Sequence, residues 1–126
     1  MDTDMRALVI VAQAYFDAAY DMDADKFASL FHPSSSVSSV TRVGDDTTVS
    51  VTPIATWLTA VRTMKAPRQL GLARHDEILS IDVVKGLASL KVTLQIPPRY
   101  FVDMLSCVKI AGVWKIVQKV TSVDSR

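Results

Sequence analysis

The sequence predicts an α+β fold in which helices come first and an antiparallel sheet follows. Three observations lead there. Apolar residues recur at three- and four-residue steps near the N-terminus, they alternate with polar ones between Leu79 and Ile96, and short turn signals punctuate the second half of the chain. Helical and strand-like segments kept apart along a chain favour helices packed on one face of an antiparallel sheet.

The first helix is carried by Met5, Leu8, Ala12, Tyr15, Phe16 and Ala19, with Val9 and Tyr20 widening the apolar stripe and Asp4, Arg6, Gln13 and Asp17 on the other side. Asp23 is an N-cap for a short second helix with Phe27, Leu30 and Phe31 on one face. Pro33 ends that helix, because proline disfavours helical geometry in the residue before it. A β-branched run from Val37 to Val43, a turn at Gly44, Asp45 and Asp46, and a second run from Thr47 to Val51 read as a hairpin. Thr52 as N-cap and Pro53 in the first helical position start a third helix with Ile54, Trp57, Leu58 and Val61 on its apolar stripe. Residues 65–71 break the pattern and are expected to form a mobile loop.

Four strands are expected next. Leu79, Ile81 and Val83 alternate with Ser80 and Asp82, and Lys85 and Gly86 turn the chain. Ala88, Leu90, Val92, Leu94 and Ile96 then alternate with polar residues up to a turn at Pro97 and Pro98. A strand from Tyr100 to Ile110, a turn at Ala111 and Gly112, and a strand from Val113 to Val123 complete an antiparallel meander.

Composition narrows the function classes. The 126 residues form one domain, 1–126, with 49% hydrophobic and 21% charged residues and a net charge of +1. That balance gives no general drive toward nucleic acid or an anionic membrane. The apolar run from Ala7 to Ala12 falls far short of the ~20 residues of a membrane span. The acidic start does not resemble a secretory signal, so a cytoplasmic protein is expected. Cys107 is the only cysteine, which excludes an intrachain disulfide and a cysteine-based zinc site. There is no Gly-rich phosphate loop, no nucleophile elbow and no His-Glu-x-x-His, and neither a metal nor a cofactor is expected.

Five phrases in order carry a family resemblance: Ala14-Tyr-Phe-Asp-Ala-Ala-Tyr-Asp-Met-Asp-Ala-Asp25, Leu30-Phe-His-Pro33, Ile78-Leu-Ser-Ile-Asp-Val83, Phe101-Val-Asp-Met-Leu105 and Gly112-Val-Trp-Lys-Ile-Val117. Together they resemble the nuclear-transport-factor-two-like superfamily, and within it the SnoaL-like, putative lumazine-binding subgroup, over nearly the whole chain. The resemblance implies a cystatin-like α+β cone: three helices from the N-terminal half on a strongly curved sheet, a pocket between them, and a homodimer. Functions in the superfamily range from isomerases, cyclases and dehydratases to binding and assembly domains, so the site has to be argued from its own residues.

On the strand from Tyr100 to Ile110, the register that leaves Lys109 outside turns Tyr100, Val102, Met104, Ser106, Val108 and Ile110 toward the helices. A pocket lined by Tyr15, Phe31, Trp57, Leu90, Val92, Tyr100, Met104 and Trp114 follows, apolar and aromatic as small-molecule sites usually are. The alternative is that the same residues simply fill the core. Phe101, Asp103 and Leu105 then lie on the outer face with Lys91 and Lys119, the face that dimers of the resembled family bury. Asp103 is expected to pair with a lysine or arginine, a twofold interface being one place to find it.

Two polar residues are weak catalytic candidates. Tyr15 lines up with the helix-one tyrosine that ketosteroid isomerase uses as an oxyanion donor; the alternative is a core tyrosine with its hydroxyl satisfied locally. His32 could serve as a base at the cavity mouth, or bind the backbone at a helix end. The aspartate that the isomerase chemistry needs on the first strand falls near Ser39, and the second acid near Ser106; an unactivated hydroxyl is a very weak base. His75 sits in a charged cluster, Arg74 to Glu77, that reads as exposed. The leading expectation is a small-molecule-binding domain. The alternatives are a small isomerase, dehydratase or cyclase using Tyr15 and His32, and a homodimeric assembly domain.

Overall fold

A computed structural model of the chain describes residues 2–125; the two terminal residues of the 1–126 span lie outside the described residues. The chain runs α1 (Thr3–Asp21), α2 (Ala24–Leu30), β1 (Phe31–Val43), β2 (Asp46–Pro53), α3 (Ile54–Val61), β3 (Asp76–Val84), β4 (Leu87–Ile96), β5 (Arg99–Ile110) and β6 (Val113–Ser125). The six strands form one curved, open sheet in the order β2-β1-β6-β5-β4-β3, with the three helices packed on it. All neighbours are antiparallel except β1 and β6, which run parallel. That pair joins the N-terminal hairpin to the C-terminal meander.

Local chemistry sets the helix starts. Asp2 and Asp23 accept backbone N–H bonds from Met5 and Lys26 at 2.8 and 3.1 Å and cap α1 and α2. At α3 the expected start shifts by one residue: Pro53 is the cap and makes no side-chain bond, while Thr52 belongs to β2. The α1 stripe buries Leu8, Ala12, Tyr15 and Phe16 against Leu90, Val92, Leu105 and Ile116 of the sheet.

The expected register fails on β5. Asp103, Leu105 and Cys107 are 2%, 0% and 2% exposed and face the helices, whereas Val102 and Met104 are 39% and 46% exposed on the outer face. The reason lies in the β4–β5 turn. Pro97 and Pro98 alone form it, so Ile96 pairs with Arg99, Leu90 with Leu105 and Val92 with Asp103. Directly opposed residues share a face, so even positions on β4 go with odd positions on β5. Lys109 also faces the helix side, where its Nζ lies 2.8 Å from Asp4 of α1.

Bulges shift the phase of two further strands. Leu79 is the extra residue of β3, so Ile78 and Ile81 pack on the core and Leu79 turns out. Val117 is the extra residue of β6, so Trp114 and Ile116 face inward before it and Lys119 and Thr121 after it.

Residues 65–71, expected as mobile, are fastened to α1. Arg68 N–H donates to the Tyr20 carbonyl (3.1 Å), and the Tyr20 hydroxyl donates to the Leu72 carbonyl (2.7 Å). The guanidiniums of Arg68 and Arg74 lie 4.9 and 5.1 Å from the Tyr20 ring centroid.

Cys107 reports the β5 register. Burial pushes its thiol from 9.0 up to about 12. Its contribution to stability is complete below pH 9 and is lost as the pH climbs toward about 12, because the unfolded chain gives up the proton first. A thiol reagent is expected to modify native Cys107 at least ~100-fold more slowly than in the urea-unfolded chain. Cys107→Ala should remove the part of the alkaline stability loss that begins near pH 9. Equal labelling of folded and unfolded protein contradicts this register.

Candidate functional site

Between α1, α2, α3 and the concave sheet lies a cavity of about 390 Å³. One wall is aromatic and apolar: Phe27, Trp57, Val61, Leu94, Phe101 and Val123. Met64, Lys65, Leu70 and Leu72, from the segment held by Tyr20, line it together with Ile96, Pro97 and Arg99 from the β4–β5 turn. Besides Lys65 and Arg99, the polar lining is Tyr15, Ser39, Asp103, Lys119 and Thr121.

Four of these polar residues form one cluster. The Tyr15 hydroxyl donates to Asp103 Oδ2 at 2.6 Å, and the Thr121 hydroxyl donates to Asp103 Oδ1 at 2.5 Å. Lys119 Nζ lies 3.8 Å from Asp103 Oδ2. Its ammonium sits 4.4 Å from the Trp57 ring centroid and 5.3 Å from that of Tyr15. Asp103 and Lys119 are only 2% and 7% exposed. Burial pushes the Tyr15 phenol well above its ordinary value, and the charge of Asp103 and the bond to it add to the shift. Burial pushes the Lys119 amine down, while the charge of Asp103 opposes that shift.

Rings pack around the cluster and fix it. Tyr15 meets Phe27 edge-on at 5.5 Å and Phe31 at 6.5 Å, and Trp57 contacts Phe27 at 4.9 Å and Phe31 at 5.9 Å. The phenol is therefore held by packing as well as by Asp103.

The sequence-derived candidates divide accordingly. Tyr15 and Trp57 line the cavity. Phe31, Leu90 and Val92 are buried core behind it, and Trp114 is core near the far end of α1, its Nε1 donating to Asp4 at 3.3 Å. Tyr100 and Met104 occupy the outer face of β5, because of the register described above. Phe101, Asp103, Leu105 and Lys119, expected on the outer face, turn inward, and of that set Lys91 alone stays outside. The expected basic partner of Asp103 is Lys119 of the same chain.

His32 does not line the cavity. Its Nδ1 lies 2.7 Å from the Ser34 hydroxyl and accepts the Ser34 N–H at 3.1 Å. His75 is exposed, and its carbonyl accepts from Gln95 N–H at 2.9 Å. Among the described residues no group of three or more His, Cys, Asp or Glu could hold a metal ion, and no helix is long and apolar enough to cross a membrane.

Asp103 and Lys119 as cavity residues are what sequence reading missed. The even-to-odd pairing across Pro97 and Pro98 was a readable signal for Asp103. No Gly or Pro marks the bulge at Val117 that turns Lys119 inward.

The cluster is energetically coupled. Tyr15→Phe is expected to lower stability by about 1–3 kcal/mol, since it withdraws a donor from a buried carboxylate. Asp103→Ala is expected to cost about 3–5 kcal/mol, since it strands a buried ammonium. In urea melts the double variant should cost less than the two single losses combined, by about 1 kcal/mol, and strict additivity contradicts the coupling.

Similarity to known proteins agrees with this architecture. The chain superposes on an NTF2-like protein of unknown function from Shewanella baltica OS155 with a TM-score of 0.84 and 20% identity, covering 98% of this chain and 95% of that one. An NTF2-like protein of unknown function from Methylobacillus flagellatus KT gives 0.80 and 22%, covering 99% and 96%. A ketosteroid isomerase-like protein from Erwinia carotovora atroseptica SCRI1043 gives 0.73 and 13%, covering both chains fully at 100% and 100%. At these identities the likeness establishes the fold alone. No curated protein matches the sequence. The family model described as Putative lumazine-binding matches residues 3–122. The chain thus belongs to the Putative lumazine-binding family, and it has the fold of the NTF2-like proteins it superposes on.

Proposed function

We propose that the protein is a small-molecule-binding domain whose ligand has a flat apolar or aromatic body and one acceptor group. The observation that carries this reading is a cavity of about 390 Å³ with a largely apolar wall that ends on one buried cluster of Tyr15, Asp103, Lys119 and Thr121. Small-molecule sites usually combine such a wall with a few convergent polar groups. The ligand body packs on Trp57, Phe27 and Phe101, and its acceptor faces Lys119. The family's description makes lumazine, a fused heteroaromatic dione, a natural first probe.

Isomerase chemistry fits this arrangement less well. An oxyanion donor needs a proton to give, and the Tyr15 proton is already committed to Asp103. Ser39 lines the cavity, but no base bonds to it among the described residues. His32 stands outside the lining, bonded to Ser34.

The quaternary proposal moves with the register. Val102, Met104 and Val120 are 39%, 46% and 40% exposed on the outer face, and Met104 lies directly opposite Val120. We place the homodimer contact on this patch rather than on Phe101, Asp103 and Leu105.

Two measurements test these readings. Lumazine or anilinonaphthalenesulfonate is expected to quench the tryptophan emission of the native protein saturably, and Trp57→Ala should weaken binding by about tenfold or more. Failure of both probes to bind, or indifference to Trp57→Ala, removes the binding reading. Sedimentation equilibrium across the micromolar range is expected to give a dimer that Met104→Asp dissociates while the variant stays folded. A wild-type monomer throughout that range removes the dimer.

A further inference from the structure

Lys119 is the only one of seven lysines whose side chain is buried. Among the described residues its Nζ makes no hydrogen bond: the nearest carboxylate oxygen, Asp103 Oδ2, is 3.8 Å away. Every fully enclosed side-chain nitrogen or oxygen among those residues has a partner, so Nζ keeps an open side, and Lys119 lines the cavity. The rings of Trp57 and Tyr15 flank it at 4.4 and 5.3 Å. Asp103, bonded by Tyr15 and Thr121, is held fixed 3.8 Å from the amine.

We propose that Lys119 is a carbonyl-capturing amine, and that the cavity takes an aromatic or apolar aldehyde or ketone and holds it as an imine. This rests on the ligand-binding reading above and names the ligand class.

The step balances without a redox partner. Once the ammonium has given up a proton, Nζ adds its lone pair to the carbonyl carbon, a C–N bond forms, and the carbonyl π electrons move to oxygen. A proton leaves nitrogen and one reaches the oxygen; Asp103 Oδ2, 3.8 Å from Nζ, is the nearest carboxylate. The hydroxyl of the resulting carbinolamine takes up a second proton and leaves as water while the nitrogen lone pair closes the C=N bond, and the nitrogen then gives up its remaining proton. One aldehyde or ketone and one amine become one imine and one water.

Two features favour this chemistry at Lys119 over the other lysines. Apolar surroundings keep a larger share of the amine neutral and nucleophilic, as the downward push from burial indicates. The neighbouring rings hold an aromatic carbonyl against the amine, which raises its effective concentration. Lys65 also lines the cavity but is exposed, and Lys91 is exposed on the outer sheet face; both serve as internal comparators.

The test uses naphthaldehyde with cyanoborohydride, which delivers hydride to the imine carbon and fixes the adduct as a secondary amine. Intact-mass analysis should find one naphthylmethyl group per native chain, and peptide mapping should place it on Lys119, at least ~10-fold faster than on Lys65 or Lys91. Lys119→Arg should abolish this fast phase. In the wild-type protein an excess of anilinonaphthalenesulfonate should protect Lys119 and leave Lys91 labelling unchanged, a readout that does not depend on any variant folding. Binding of methylnaphthalene, which has no carbonyl, is followed in parallel by tryptophan quenching. Quenching without an adduct on Lys119 overturns the imine and leaves the binding reading standing. Labelling spread evenly over the surface lysines overturns the imine as well. Absence of both quenching and adduct removes both proposals.

Discussion

A carboxylate in the middle of an apolar strand has to be compensated on the spot, and at Asp103 two elements supply the compensation. Tyr15 comes from α1, Lys119 and Thr121 come from β6, and Asp103 itself stands on β5. Each alone is a costly group to bury; together they satisfy one another and join the first helix to the centre of the sheet. Helix, strand register and cavity therefore depend on a single contact set. Moving β5 by one residue would expel Asp103 and leave a phenol and an ammonium unmatched inside.

The same contact set explains why the cavity is not simply filled. Phe31, Leu90, Val92 and Ile116 pack tightly at the closed side of the fold, and the aromatic contacts of Tyr15 and Trp57 continue that packing up to the cluster. Beyond it, a charged amine and a bonded carboxylate discourage further apolar side chains from collapsing inward. The segment from Met64 to Leu72 spans the gap, fastened by Tyr20 between two arginines. The hollow is kept by chemistry on one side and by anchoring on the other.

Much of this fold is legible in the residues alone, since hydrophobic periodicity reports helices and strands directly. The α1 stripe, the cap at Asp23, the N-terminal hairpin and the alternation of β4 all appear where periodicity places them. What periodicity cannot carry is which face of a strand meets the helices when both faces hold apolar residues. β5 is such a strand, with Val102, Met104 and Val108 on one face and Phe101, Leu105 and Cys107 on the other. Its turn settles the choice, through pairing parity rather than hydrophobicity. The Tyr15–Asp103 contact spans 88 residues of sequence and no local pattern encodes it. The bulges at Leu79 and Val117 leave no composition signal, because each is an ordinary aliphatic residue in an ordinary strand.

The bulge at Val117 has a consequence for how such a site arises and disappears. Lys119 and Val120 are adjacent on β6, one inside and one outside, and only the extra residue before them decides which is which. Pairing Val117 into the ladder opposite Ser106 would set Lys119 opposite Met104 on the outer face and bring Val120 opposite Asp103 into the hollow, with no change to any residue that touches a ligand. Within this architecture, a one-residue slip in the pairing of β6 removes the amine from the hollow without any substitution at the site. Comparisons that align residue by residue through β6 and ignore such slips would then pair a chemically active position with an inert one.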